Sequence, residues 1–163
     1  MNGFNNPAYL TALVIANIVA IILLINAIHW PKIGRVLFFL LFSWACWTNW
    51  RISQQNPALY LEYADLTPSS LYKTFINGWF SRHIQVVVGF IATCQGLIAV
   101  SMLLKGRVFK TGASAAILFL LAIMPLGVGS GFPSTIIFAI AMYALLKREA
   151  NEYLWSYHKP IVI

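Results

Sequence analysis

The polar side chains best suited to chemistry gather in one segment, residues 52–82, and at the ends of the apolar runs that flank it. Glu62 and Asp65 lie within the segment, while Arg51 and Arg82 mark its two ends. Two acids near two arginines predict a salt-bridge clamp that holds the segment on the rest of the protein. The alternative is a polar binding site, for which the candidate residues are Asn49, Arg51, Tyr60, Glu62, Tyr63, Asp65, Arg82, His83 and Gln85.

The cysteines and histidines do not form a pattern that predicts redox or metal chemistry. Cys46 lies roughly 8 Å, and Cys94 roughly 18 Å, below the ends of their predicted helices, at 1.5 Å per residue. A disulfide needs Cα atoms within about 7 Å, so we expect two free thiols. His29, His83 and His158 fall at different places in the predicted topology, which predicts no metal or haem site. Only His83 remains a candidate for contact with a quinone.

The elements that must position these residues are apolar helices. Hydrophobic residues make up 60% of the 163 residues and charged residues only 9%, which excludes a soluble globular domain. A hydrocarbon core about 30 Å thick requires ~20 helical residues. The apolar runs predict an all-α membrane bundle in a single domain, with five transmembrane helices at about residues 8–30, 34–51, 83–104, 112–127 and 132–147. Glycines and a proline between residues 127 and 133 break what would otherwise be one overlong helix.

The basic residues predict the orientation of these helices. In a five-span chain, eight of the 11 basic residues share one side, namely Lys32, Arg35, Lys105, Arg107, Lys110, Lys147, Arg148 and Lys159. Arg51, Lys73 and Arg82 lie on the other side. The positive-inside rule then places the N-terminus outside and the C-terminus in the cytoplasm. The membrane we expect is a bacterial-type cytoplasmic (inner) membrane. The net charge of +7 therefore indicates topology and contact with lipid headgroups, and we expect no nucleic-acid partner.

The segment between the second and third spans contains its own helix signal. Thr67 followed by Pro68 is typical of a helix start. The apolar residues beyond it recur at helical spacing and form one face: Leu71, Phe75, Ile76, Trp79 and Phe80. Two interpretations stay open: a short helix that lies along the outer face of the membrane, or a cap packed over the mouth of the bundle.

Deep within the predicted spans there is no Asp, Glu, Lys or Arg, and the polar residues that remain are amides. They are Asn17, Asn26, Asn49 and Gln95. Proton-driven transporters usually need an ionisable residue in the membrane, so this class is disfavoured. Interhelical hydrogen bonding is the ordinary role of such amides. Gln95 shares a face with Ala92 and Ala99, so we expect it to point into the bundle.

Two stretches carry a resemblance to a known family. Arg35-Val-Leu-Phe-Phe opens one predicted span, and Gln95-Gly-Leu-Ile-Ala-Val-Ser-Met-Leu-Leu-Lys-Gly-Arg107 ends another in a basic turn. Over roughly residues 35–147 this pattern resembles the DoxX/DoxD-type membrane proteins. The resemblance implies a four-helix core with one extra N-terminal helix, and a link with membrane redox systems and the quinone pool. At the position where that family often has an acidic residue, this chain has Gln95.

Three functions are compatible with these features. The first is an accessory membrane subunit that binds a partner subunit, a quinone or a lipid without catalysis. The second is a quinone-linked oxidoreductase subunit, which would need a redox centre. The third is a small-solute channel or transporter formed by a homo-oligomer, favoured by stripes of small residues such as Ala12, Ala16 and Ala20. We expect the first, since the chain has no recognisable catalytic constellation.

Overall fold

A computed structural model describes residues 6–148 and 153–155, and every regular element in these ranges is helical. The all-α prediction is therefore confirmed for this part of the chain. The elements are α1 (Pro7–His29), α2 (Pro31–Gln55), a 3-10 helix (Pro57–Glu62), α3 (Tyr63–Leu66), α4 (Ser70–Phe75), a π-helical turn (Ile76–Phe80), α5 (Ser81–Leu103), α6 (Gly106–Ile123), a second 3-10 segment (Met124–Ser130) and α7 (Ser134–Arg148). We call the end of the bundle that carries residues 52–82 the loop end.

Prolines start the first two helices. Pro7 and Pro31 occupy first-turn positions, where the missing N–H has no intrahelical partner to lose. The Asn6 side chain caps α1 by accepting a hydrogen bond of 3.0 Å from the Ala8 N–H. Trp30 alone joins α1 to α2, because Pro31 cannot donate the hydrogen bond that would continue the first helix.

Three helical segments of the described chain are long and apolar enough to cross a membrane: Pro7–His29, Ser70–Leu103 and Gly106–Ser130. Helix α2 has 25 residues, but its tryptophans, Asn49 and Arg51 make it less apolar than α1. Helix α7 has 15 residues, about 22 Å of helix. The structure thus supports a membrane protein with three candidate spans, and five spans stay a prediction.

The surface of α1 requires an apolar solvent. Only Ala20, Leu23 and Ala27 are buried along this helix. The exposed aliphatic side chains cover the rest of its length: Leu10, Val14, Ile15, Ile18, Ile21, Ile22, Ile25 and Ile28. A continuous apolar surface of this kind is not stable in water, so it fits a helix bordered by lipid.

Small residues bring the helices close together. A Cβ on Gly34 in α2 would lie 2.9 Å from the Ala27 Cα in α1, and one on Gly112 in α6 would lie 1.8 Å from the Ser101 Oγ in α5. Only hydrogen fits at these positions. Ala92 and Ala99 are buried on α5 beside Gln95, and in the small-residue stripe of α1 Ala20 is buried whereas Ala12 is exposed.

The cysteines are free thiols, as predicted, but the depth estimate behind that prediction is wrong. The Cys46 Sγ lies 3.2 Å from the position that a Cβ on Gly96 would occupy. Cys46 is therefore level with residues close to Cys94 on α5. The estimate assumed that Arg51 and Arg82 lie at the same height in the bundle, and they do not. Helix α2 continues to Gln55, and α5 is preceded by the π-helical turn.

The first half of the segment at residues 52–82 fits the cap interpretation, and the helix along the membrane interface stays a prediction. This first half packs as a cap, with Tyr60, Ala64 and Leu66 buried. In the second half α4 buries no residue, and Leu71, Phe75 and Trp79 are exposed. The helix starts two residues later than predicted, since Ser69 rather than Thr67 caps α4 and Ser70 rather than Pro68 begins it. The single apolar face is divided as well: Ile76 and Phe80 are buried.

Candidate functional site

Three of the predicted site residues form a hydrogen-bonded chain at the loop end. The Tyr60 hydroxyl donates to Asn49 Oδ1 at 2.9 Å, and the Asn49 Nδ2 donates to Gln95 Oε1 at 2.9 Å. These residues come from the cap, α2 and α5, so the chain joins three elements that are separate in sequence. Gln95 is only 3% exposed and points into the bundle, as its face predicts.

The cap tyrosines are held in their neutral form. Burial raises the pKa of Tyr60 to about 12, with a smaller contribution from Tyr63. Burial likewise raises the pKa of Tyr63, and the nearby Glu62 carboxylate adds to that effect. Tyr60 therefore remains a hydrogen-bond donor to Asn49 throughout the physiological pH range.

The glycine segment between α6 and α7 is the surface on which the cap rests. Gly127 has a positive φ of 64°, and a Cβ there would lie 2.9 Å from the Pro68 Cδ. A Cβ on Gly129 would lie 2.3 Å from the Tyr63 ring. The Thr67 hydroxyl donates to the Pro125 carbonyl at 2.6 Å, which anchors the same contact. These glycines therefore serve close packing between the cap and the bundle.

The predicted salt-bridge clamp is wrong for the two acids. Glu62 accepts a hydrogen bond of 2.6 Å from the Tyr9 hydroxyl on α1. Asp65 lies 3.8 Å from the Lys73 ammonium, and both side chains are mostly exposed. The 3-10 helix turns Tyr60 inward and leaves Glu62 exposed, and Asp65 is exposed on α3. The cap is held instead by hydrogen bonds, among them that between Tyr9 and Glu62, and by apolar packing.

The arginines of the clamp have other surroundings. The Arg51 Nε donates to Gln55 Oε1 at 3.0 Å on the same helix. Arg82 and Gln85 are exposed at the start of α5, outside the hydrogen-bonded chain. His83 is exposed beside them and stacks on Trp79, with ring centroids 4.6 Å apart. The structure thus does not bring Arg82, His83 and Gln85 into one site with Asn49 and Tyr60.

Asn17, the other predicted intramembrane polar residue, joins α1 to the glycine segment. Its Nδ2 donates to the Leu13 carbonyl at 2.8 Å and lies 3.4 Å from the Gly131 carbonyl. Asn17 and Gln95 therefore bind different partners. Gln95 takes the interhelical role that is ordinary for such amides, whereas the shorter hydrogen bond of Asn17 stays within α1.

A cleft of about 460 Å³ opens along the loop end of α2. We call it the α2 groove, and its lining residues are Trp44, Trp47, Thr48, Arg51, Ile52, Gln55, Asn56 and Leu59. Trp44 and Trp47 are each 66% exposed. The groove combines indole rings, aliphatic side chains, amides and one guanidinium, which are apolar and polar groups side by side. Of the predicted site residues only Arg51 lines the groove. The spacing of Trp44, Trp47 and Arg51, which lie on one helix face, was the sequence signal that could have predicted the groove.

The buried position of Arg35 is a second feature that sequence reasoning missed. This residue lies near the start of α2 at the end opposite the loop end, and its side chain is completely buried. Its Nε donates to the Met102 carbonyl at 2.9 Å, and its Nη2 donates to the Leu104 carbonyl. The guanidinium carbon also lies 4.5 Å from the centroid of the Phe109 ring. Arg35 thereby caps the C-terminus of α5, where a positive charge is favourable.

Within residues 6–148 and 153–155, no group of three or more His, Cys, Asp or Glu side chains is arranged to hold a metal ion. His29 and His83 lie on different helices, and the predicted position of His158 is outside the described residues. Comparison with protein-family models, with curated proteins and with solved structures finds no match to this chain.

Proposed function

We propose that this protein is a non-catalytic membrane subunit that binds a lipid or a quinone in the α2 groove. The observation that carries the proposal is the groove itself. It combines apolar walls, at Trp44, Trp47 and Leu59, with a polar end at Arg51 and Gln55. Ligand pockets commonly have mostly apolar walls and a few placed polar groups.

The proposal includes five membrane spans with the N-terminus outside. Helix α2 measures about 37 Å at 25 residues, which is enough to cross the hydrocarbon core. Helix α7 reaches the opposite end with Lys147 and Arg148 in its last turn. In this arrangement the groove opens at the outer leaflet of a bacterial-type inner membrane. Tryptophan is favoured at such a boundary, which supports the position of Trp44 and Trp47 there.

The resemblance to the DoxX/DoxD-type proteins adds an accessory role in a membrane redox system to this proposal. Arg35 and Gln95, which belong to the stretches that carry the resemblance, hold helices together here. A quinone would find hydrogen-bond donors at Arg51 and Asn56, and indole surface at Trp44. A lipid would use the same groups with its chains along α2.

Reporter fusions test the topology. A reporter that is active only in the cytoplasm should give signal when it is fused after Lys159 and none when it is fused after Ser130. Equal signal from both fusions would contradict five spans.

Ligand retention tests the groove. The full chain, purified from native membranes in mild detergent, is extracted with organic solvent and the extract is analysed for quinones and lipids by mass spectrometry. Thr48→Trp fills the groove, because Thr48 lines it. Thr93→Trp adds the same bulk at an exposed position on α5. We expect the first variant to lose the retained molecule and the second to keep it. Equal retention by both variants would refute the proposal.

A further inference from the structure

The α2 groove contains a positive charge that no carboxylate neutralises in the described part of the chain. Arg51 lines the groove, and the ionic interactions of this region lie elsewhere. Glu62 accepts from Tyr9, and Asp65 lies beside Lys73. A cation at the polar end of an apolar cleft, without an acidic partner, is complementary to an anionic ligand.

The hydrogen bonding of Arg51 orients its side chain for such a ligand. Its Nε donates to Gln55 Oε1, one turn further along α2. This bond uses one donor of the guanidinium and leaves the two terminal nitrogens, a pair that matches two phosphate oxygens. Thr48 and Asn56 line the same groove and add neutral donors beside the charge.

An apolar track extends along α2 from the charged end of the groove. Trp47, Trp44, Leu40 and Val36 are all exposed, and they recur three or four residues apart on one face of the helix. From Arg51 to Val36 the helix rises ~22 Å at 1.5 Å per residue. A hydrocarbon chain can lie along this track while its head remains at Arg51. Inorganic phosphate has no apolar part that could contact this surface.

We propose that the α2 groove binds a phospholipid of the outer leaflet, with its phosphate at Arg51 and an acyl chain along Trp47, Trp44 and Leu40. This inference rests on the proposed function, since it names the class of molecule that the groove takes. A neutral quinone would occupy the track but would leave the Arg51 charge unmatched. Charge complementarity therefore favours the phosphate head over the quinone ring.

Four probes separate the head from the tail. Purified full-length protein in neutral detergent is titrated with phosphatidylglycerol, with diacylglycerol of the same acyl chains, with a ubiquinone and with inorganic phosphate. Bound molecules are counted by native mass spectrometry. We expect phosphatidylglycerol to bind at least ten-fold more tightly than the other three, because a hydrogen bond to a charged group contributes enough for a ten-fold or larger change.

Paired substitutions test the role of Arg51. Arg51→Gln removes the charge from the groove, whereas Arg82→Gln removes an exposed charge at the loop end that does not line it. We expect phosphatidylglycerol affinity to fall about ten-fold or more in the first variant and to stay within two-fold in the second. Equal losses would indicate general attraction to positive charge and would overturn the inference.

The outcomes also distinguish this inference from the proposed function. If ubiquinone or diacylglycerol binds as tightly as phosphatidylglycerol, and Thr48→Trp prevents that binding, the groove is a ligand site without phosphate selectivity. If inorganic phosphate alone binds as tightly as phosphatidylglycerol, the apolar track has no role and the phospholipid assignment is wrong. If none of the four probes binds in a manner that depends on Thr48, both proposals are refuted.

Discussion

Replacing Arg35 with alanine should strongly destabilise the bundle. Arg35 is completely buried, and it donates to the carbonyls of Met102 and Leu104 at the end of α5. Its guanidinium also packs over Phe109 on α6. One side chain on α2 therefore joins three helices at the end of the bundle opposite the cap.

The magnitude follows from these contacts. Hydrogen bonds to a charged group contribute ~1.5–3 kcal/mol each, and a desolvated cation–π contact contributes up to about 2 kcal/mol. These terms are not independent, because one alanine removes all of them and leaves two carbonyls without the donor. We therefore expect a loss of about 3–5 kcal/mol in the free energy of unfolding, the usual cost of breaking a buried charged contact. At ~2–4 °C per kcal/mol, Arg35→Ala should lower the melting temperature by roughly 6–20 °C.

Thermal denaturation of the full chain in detergent measures this effect, with Arg107→Ala as the matched control. Arg107 is an exposed arginine at the same end of the bundle, so its removal should cost less than about 0.5 kcal/mol. Arg35→Lys should give an intermediate result, because lysine keeps the charge but lacks the planar fork that reaches both carbonyls. If Arg35→Ala and Arg107→Ala melt within about 2 °C of each other, the capping role of Arg35 is refuted.

Two further substitutions test the cap and the helix packing. Tyr60→Phe removes the donor to Asn49 and should lower the free energy of unfolding by about 1–2 kcal/mol. Burial raises the pKa of Tyr60 from 10.0 to about 12, so the tyrosine ionises at lower pH in the unfolded chain than in the folded one. The stability of the wild type should therefore fall as pH rises from about 10 toward 12. Melting curves at pH 9 and 11 should show a smaller fall in Tyr60→Phe, and an identical fall would contradict the burial of this phenol. Gly112→Ala places a Cβ 1.8 Å from the Ser101 Oγ and should cost about 1–3 kcal/mol, whereas Ser114→Ala at an exposed position of the same helix should be nearly neutral. Partial recovery of the melting temperature in the double variant Gly112→Ala with Ser101→Gly would show that the clash is with Ser101. An unchanged melting temperature in Gly112→Ala would show that α5 and α6 can separate without cost.

The sequence by itself predicted the helical class and the approximate positions of the helices. Hydrophobic runs, glycines and prolines act locally, so the glycines after residue 126 and Pro133 predict the break between α6 and α7. The inward direction of Gln95 was also predictable, because its neighbours on the same helix face are small. All of these signals depend on residues less than about two helical turns apart.

Tertiary structure alone decided the partners of the polar residues. Glu62 and Tyr9 are 53 positions apart, and Arg35 and Met102 are 67 apart. Charge alone favoured Arg51 or Arg82 as the partner of Glu62, but the 3-10 helix that turns Tyr60 inward brings Glu62 to Tyr9 on α1. A charged side chain binds whichever groups the packing of apolar helices brings within reach, and for Arg35 these include the carbonyls at the end of α5. The α2 groove has the same origin, since Leu59 meets the tryptophan face of α2 only after the chain has turned back at Asn56.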